Sequence, residues 1–586
     1  MNMKQITTIF LIVILALGIP SCSMLEPEAD NHNTLDRVYE DPAFAEGLLI
    51  KAYTYIPTND YSFEEVATDD AVTNNRLSSY LRIATGEWSP RLNPESTWDN
   101  CNKGILYLNQ FLSVVEQVPW KWTNPAVKDL YIRRFKGESY ALRALFKYYL
   151  LRNHGGIGAG GTLLGTPIYN SFLESQEDFA TPRPAFSESV ASIFADIEEA
   201  RKYIPMDFGD RSILPEGFPA QLDLADYNEV FGDYTQQRIS GRHALAIKAR
   251  TALLAASPAF NPESDQQRWQ QAAEFTATLL NDIGGLQGMD PKGHLFYRKQ
   301  QVDQADITTG DKMDLQEILW RRPIYNSNAR ERDNFPPSLY GNGRINPTQN
   351  LVDAFPSANG FPISDPMSEY DPADPYANRD PRLSHYIVFN GSKLKGNEIN
   401  TETEGGPDAL ENIPTSTRTG YYLKKLLRED VNVNPASSSS QKHFNTHIRY
   451  TELFLNYAEA ANEAWGPDGK GSHAYSAKEV IAKIRERAGL AQPDQYLSGI
   501  ASKQALRELI RNERRLELCF EGFRFWDLRR WKADLAQPAM GVRINDQGYD
   551  YFTVENRVYD NGYMHYGPIP EREIIKFGLV QNQGWQ

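Results

Sequence analysis

Arg511-Asn512-Glu513-Arg514-Arg515-Leu516-Glu517-Leu518-Cys519-Phe520-Glu521-Gly522-Phe523-Arg524-Phe525-Trp526-Asp527-Leu528-Arg529-Arg530-Trp531 is the stretch on which the reading of this chain turns. Leu506, Leu509 and Ile510 lead into it as one face of a helix, and Leu516 to Phe520 is a nearly unbroken apolar run. Arg and Glu interleaved with so much apolar surface predict buried ion pairs that fix register. The block therefore reads as a structural centre, not as a site.

Helical spacing continues on the N-terminal side. Tyr450–Trp465 and Ala477–Ala488 form a pair, with Val480, Ile481, Ile484 and Ala488 in register and the turn signal Gly466-Pro467-Asp468-Gly469 between them. Ile105, Leu108, Leu112 and Val115 make one stripe. Phe135, Leu142, Leu145, Phe146 and Tyr149 make another, stopped by Gly155-Gly156. From Gly241 to Ser257, six alanines allow two helices to approach closely before Pro258 ends the run. Large and small residues alternate on these faces as in tetratricopeptide units. The expected fold is mostly α: about four tetratricopeptide-like helix pairs forming a scaffold, with a loop-rich, irregular part and little β. Residues 157–186, 205–240, 285–350 and 355–445 are the long loops, and loops of that length are usually functional. Residues 316–320 and 384–390 are the short-strand candidates.

Composition narrows the function classes. The 586 residues include 61 Lys and Arg against 76 Asp and Glu, a net charge of −15. That argues against a general nucleic-acid binder, which needs a cationic face. Three cysteines exclude a disulfide framework. The 31 Tyr, 27 Phe and 10 Trp hint at surfaces that stack on flat ligands.

The first residues set the compartment. Lys4, the apolar run Ile9 to Ile19 and then Pro20-Ser21-Cys22 read as a secretory signal over 1–21, too short to span a bilayer. A cysteine directly after Ser21 resembles a bacterial lipobox, although Pro20 is unusual there. Acylation of Cys22 would anchor the chain durably, with the acidic stretch Ser23 to Asp30 as a flexible tether.

Four C-terminal stretches resemble one family. His447-Ile448-Arg449-Tyr450-Thr451-Glu452-Leu453-Phe454-Leu455-Asn456-Tyr457-Ala458-Glu459-Ala460 is similar to the "RYAEVLLNYAEA" helix of the SusD/RagB family, and Ile484 to Leu490 to its "IRERAGL". The Arg511–Trp531 block resembles the family's most diagnostic segment. Tyr566-Gly567-Pro568-Ile569-Pro570 and Gln581-Asn582-Gln583-Gly584-Trp585 resemble its closing segment. Gly137-Glu138 with Ala141-Leu142-Arg143-Ala144, Ala255 to Pro258, Thr348 to Asp353 and Asp380-Pro381-Arg382-Leu383 also fit. Gly158-Ala159-Gly160-Gly161 departs from the pattern, intervening where a short "IPL" strand is common.

The resemblance implies one domain over 22–586, with an N-terminal part about 22–240 and a C-terminal part about 241–586. It implies an outer-membrane lipoprotein on the cell surface that binds an oligosaccharide, is not an enzyme, and delivers its cargo to a SusC-like TonB-dependent transporter. A sugar needs aromatic platforms for its C–H face and polar groups for its hydroxyls. The candidates are Trp98 with Asn100 as platform and rim, Trp320 as the aromatic that family members place for stacking, Asp69 and Asp70 in the family's early "DD" segment, Arg382 as a fork onto hydroxyls, and Tyr422 beside Tyr421. Tyr340, Arg344 and Asn346 rank lower. Each has a bland alternative, core packing for the aromatics, a cap for an aspartate and an ion pair for Arg382.

Other chemistries are weakly signalled. No motif singles out a carboxylate pair for glycoside hydrolysis. His443 and His447 lack the glutamate of a zinc-protease helix. No cofactor is expected; Asp365, Asp371 and Asp374 are the acidic loop residues that could hold Ca²⁺. Cys101 and Cys519 read as buried thiols. A peptide ligand, a glycoside hydrolase and a tetratricopeptide adaptor are the competing readings.

Overall fold

The computed structural model describes residues 39–58, 64–175, 177–305, 315–404 and 406–585. Cys22, the signal segment 1–21 and the tether lie outside the described residues.

The helices that build the scaffold are α1 (Pro42–Tyr53), α2 (Trp98–Val114), α3 (Pro125–His154), α4 (Phe186–Arg201), α5 (Gly241–Ala256), α6 (Gln266–Asp282), α7 (Tyr450–Trp465), α8 (Ala477–Ala488), α9 (Lys503–Leu518) and α10 (Arg524–Arg530). Their ends carry the expected chemistry. Asp41 and Asn124 accept from the second-residue amides of α1 and α3, each with proline in the first turn. Ser476 and Glu479 cap α8 reciprocally, and Gly489 closes it at φ 91°.

From α1 to α9 each helix packs on the next, so α1/α2, α3/α4, α5/α6 and α7/α8 are four helix pairs in one stack, with α9 closing against α7 and α8. The alanines of α5 are buried between α4 and α6. At the α2–α3 crossing a Cβ on Gly104 would lie 2.4 Å from the Phe146 ring, so only glycine lets these helices meet. One hydrophobic core runs through the whole stack.

The intervening chain has its own core around Phe335, Phe355, Tyr386, Tyr421 and Tyr422. Among the described residues its strands occur only in two-stranded sheets. The antiparallel pairs that matter here are β1 (Ala71–Thr73) with β3 (Ile345–Pro347), and β2 (Ile318–Arg321) with β4 (Thr446–Arg449). β5 (Ala539–Asn545) and β6 (Gly548–Glu555) form a hairpin. The 316–320 strand expectation thus corresponds to β2. The 384–390 expectation is corrected: Asp380 caps a helix over Pro381–Tyr386, and only Ile387–Val388 is extended.

Candidate ligand-binding site

Most residues picked from the sequence are committed to the fold. Asp69 receives Nε and Nη2 of Arg524 at 2.9 and 2.8 Å, and Asp70 receives Nε of Arg515 at 2.6 Å. Burial alone would raise Asp69, but the Arg515 and Arg524 guanidiniums override it and hold the carboxyl well below its usual range. Both aspartates clamp the N-terminal segment onto α9 and α10, so their acceptors are not presented to a ligand.

Trp320 is corrected as well. It is 3% exposed, its Nε1 donates to Gln237 O, and its ring lies between His243 at 4.9 Å and His447 at 4.5 Å. A ring buried to this degree offers a sugar no open face. Arg382 is fully buried on Asp380, Glu513 and Glu517, at 2.6, 2.9 and 3.0 Å. The Tyr422 hydroxyl donates to Asp408 O and accepts from the Thr417 amide, and Tyr421 is equally buried. Trp98 is 4% exposed and edge-on to His154, although it borders a surface groove with Lys103, Tyr169 and Phe577. Of the seven ligand candidates, Asn100 alone is exposed, on the first turn of α2.

The residues ranked lower lead to an exposed ring. Tyr340 is 58% exposed and stands at φ 64°. A left-handed backbone is uncommon for a bulky residue and costs on the order of 1–3 kcal/mol, strain that concentrates at ligand clamps. The β1–β3 pairing explains how the strain is held, because it brings the loop after Thr73 beside the loop before Ile345. Asn74 Nδ2 donates to the carbonyls of Asn342 and Gly343, both at 2.9 Å, and of Ser416 at 3.3 Å. Arg344 returns a bond to Asn74 Oδ1, and the Ser338 amide donates to Asp408. A Cβ on Gly343 would meet Thr415 O at 2.4 Å, so the loops close only over glycine there. Asn346 is fully buried and tied to Gly343 O and the Arg418 amide, which removes it from the ligand set.

Three loops, 74–78, 336–344 and 406–418, are therefore locked into one surface carrying Tyr340, the half-buried Arg344 and the 88% exposed Leu77. A flat ring, a guanidinium with several donors and side-chain amides nearby suit an apolar face rimmed by hydroxyls. No sequence periodicity marks Tyr340, since its exposure follows from a loop pinned 266 residues away in the chain, by Asn74.

Asp365 and Asp371 accept from the Met367 and Ala373 amides of their own turns, and among the described residues no group of three or more His, Cys, Asp or Glu side chains could hold a metal ion. Burial pushes the thiols of Cys101 and Cys519 up to about 12, so both are unreactive.

Comparison with known proteins agrees with this architecture. Residues 316–585 match the SusD family. A SusD-like protein of Formosa agariphila is 24% identical over 547 residues, which is 90% of this chain and 91% of that protein. A SusD-like protein from Bacteroides fragilis superposes with a TM-score of 0.69 at 22% identity, over 94% of this chain and 98% of that one. A second Bacteroides fragilis structure, named a SusD-like carbohydrate binding protein, gives 0.66 at 20% identity over 92% and 99%. The Arg/Glu block lies inside the segment 316–585 that matches the SusD family, and the whole chain, with its four stacked helix pairs, is similar to SusD-like proteins over nine-tenths of its length.

Proposed function

We propose that this protein is a cell-surface glycan-binding lipoprotein of the outer membrane, non-catalytic, that captures an oligosaccharide and delivers it to a SusC-like TonB-dependent transporter. The observation that carries the reading is the exposed Tyr340 ring, on a left-handed residue of the loop that Asn74 pins through Asn342 and Gly343 and that also carries Arg344. The similar Bacteroides fragilis structure named as carbohydrate binding supports the ligand class. Anchoring follows from the lipobox-like Ser21-Cys22. Weak binding suits a delivery protein, because sugar hydroxyls exchange water for protein at little net gain.

Tyr340→Ala is expected to weaken oligosaccharide binding about tenfold or more, the loss typical of an aromatic anchor, while stability changes by less than about 0.5 kcal/mol, as for exposed positions. Titration calorimetry against a glycan panel and a peptide panel reads the first. Peptide binding in place of glycan binding would replace the ligand class, and unchanged glycan affinity would remove Tyr340 from the site. Cys22→Ala is expected to move the protein from the membrane fraction to the soluble one, and continued sedimentation with membranes would refute the anchor.

A further inference from the structure

A second polar cavity of about 230 Å³ lies where the end of α3 meets the segment 94–97 and α10. Most of its charges are matched: Arg250 pairs with Glu452, Arg449 with Glu521, Arg514 with Asp527 and Arg530 with Glu459. Two guanidiniums on its wall are not. Arg529 is 1% exposed, stacked on Phe525 at 3.4 Å and Trp88 at 4.6 Å. Its Nη1 donates to Phe525 O, while Nε and Nη2 have no hydrogen-bond partner. Arg152 lies over Tyr149 and Trp526 at 5.0 and 5.1 Å, and its hydrogen bond runs to the neighbouring Asn153. Among the described residues neither has a carboxylate within 4.0 Å. Facing them, Glu95 Oε2 accepts from Trp526 Nε1, and the rest of the Glu95 carboxyl is buried beside that of Glu64.

Buried charge of this kind is costly unless an opposite charge reaches it. Burial, with a second carboxyl close by, pushes Glu64 well above the usual carboxylate range, and burial raises Glu95 too. The wall asks for an anion at Arg152 and Arg529 and for hydroxyl donors toward Glu95. An inorganic anion such as sulfate brings no hydroxyl donors, and a neutral hexose brings no charge. At roughly 30 Å³ of liquid volume per water, the cavity has room for about eight waters, the scale of one sugar ring.

We propose that this cavity is a second binding site, separate from the Tyr340 surface, that takes a single acidic sugar residue, a hexuronate, with its carboxylate on Arg152 and Arg529 and its hydroxyls toward Glu95. The ligand class rests on the glycan-binding reading, but the site does not use the Tyr340 loops. Calorimetry of the full chain with glucuronate and galacturonate, against glucose and galactose, tests it. Both hexuronates are expected to bind at least tenfold more tightly than the hexoses, Arg152→Gln to remove that preference, and Tyr340→Ala to leave it intact. Equal binding of acids and hexoses, or a preference unchanged in Arg152→Gln, overturns the site. Loss of the preference in Tyr340→Ala overturns its separateness. Glucuronate soaked into crystals of the unmodified protein gives an answer that does not depend on any variant folding: density at Arg152 supports the site, and water alone in the cavity refutes it.

Discussion

Arg382→Ala is expected to cost about 3–5 kcal/mol of stability, the range for breaking a buried ion pair by removing one partner. Arg382 is 0% exposed and joins Asp380, Glu513 and Glu517 within 3.0 Å. Arg485 shares Glu513 at 2.8 Å and holds Asp494 at 2.5 Å, while Arg487 shares Glu517 at 2.7 Å. One guanidinium therefore ties the helix begun by Asp380 to α9, whose Glu513 and Glu517 also hold α8 through Arg485 and Arg487, and its loss strands carboxylates in a dry interior. Burial alone would raise Glu517, but Arg487 and Arg382 override it and hold it well below its normal range, so Arg382 is one of the charges that keep this buried carboxylate ionised. Arg382→Lys is expected to recover little, because one ammonium cannot reproduce a fork onto three carboxylates. The midpoint of urea unfolding measures both. Arg91→Ala is the control: its pair with Glu571 is 78% exposed on the Arg side and is expected to shift the midpoint little. A small shift for Arg382→Ala would mean that water reaches the network.

That network was legible because its residues are concentrated. The Arg511–Trp531 block states its own character: arginines and glutamates on a helix with a strongly apolar face have nowhere to go but into pairs. The helix pairs were legible for a similar reason, since periodicity, caps and stop signals are local. The hairpin β5–β6 was not anticipated, although Val542 and Ile544 alternate with polar neighbours, because the tyrosines of β6 face a patch that the sequence alone does not locate. The helix over Pro381–Tyr386 takes the first three residues of the strand expected at 384–390, with Asp380 capping it and Pro381 in its first turn.

The candidate site was harder to read, for a physical reason. An aromatic in a loop looks the same in sequence whether tertiary contacts bury or expose it. Trp320 sits in an apolar strand between two long loops, yet β2 pairs with β4 and carries the indole onto His447. Tyr340 follows Pro336-Pro337-Ser338-Leu339 and looks unremarkable, yet Asn74 fixes its loop outward. The signal that could have found it is the pair Gly341 and Gly343 beside an exposed ring, a loop built for close backbone approach.

The two aromatics therefore make opposite predictions. Trp320→Ala is expected to destabilise the fold by about 3–5 kcal/mol, as for a large buried ring replaced by a methyl group. The change opens a void between His243 and His447 and leaves Gln237 O without the Nε1 donor. Protein that remains folded is expected to bind oligosaccharide as the unmodified chain does, because neither face of the indole is available. Tyr340→Ala reverses the pattern, losing affinity and keeping stability. Measuring unfolding midpoint and glycan affinity for both variants gives a crossed comparison in which each is the other's control. A Trp320→Ala protein with a normal midpoint and lost binding would return the site to β2, and would require the His447 segment to open when ligand binds.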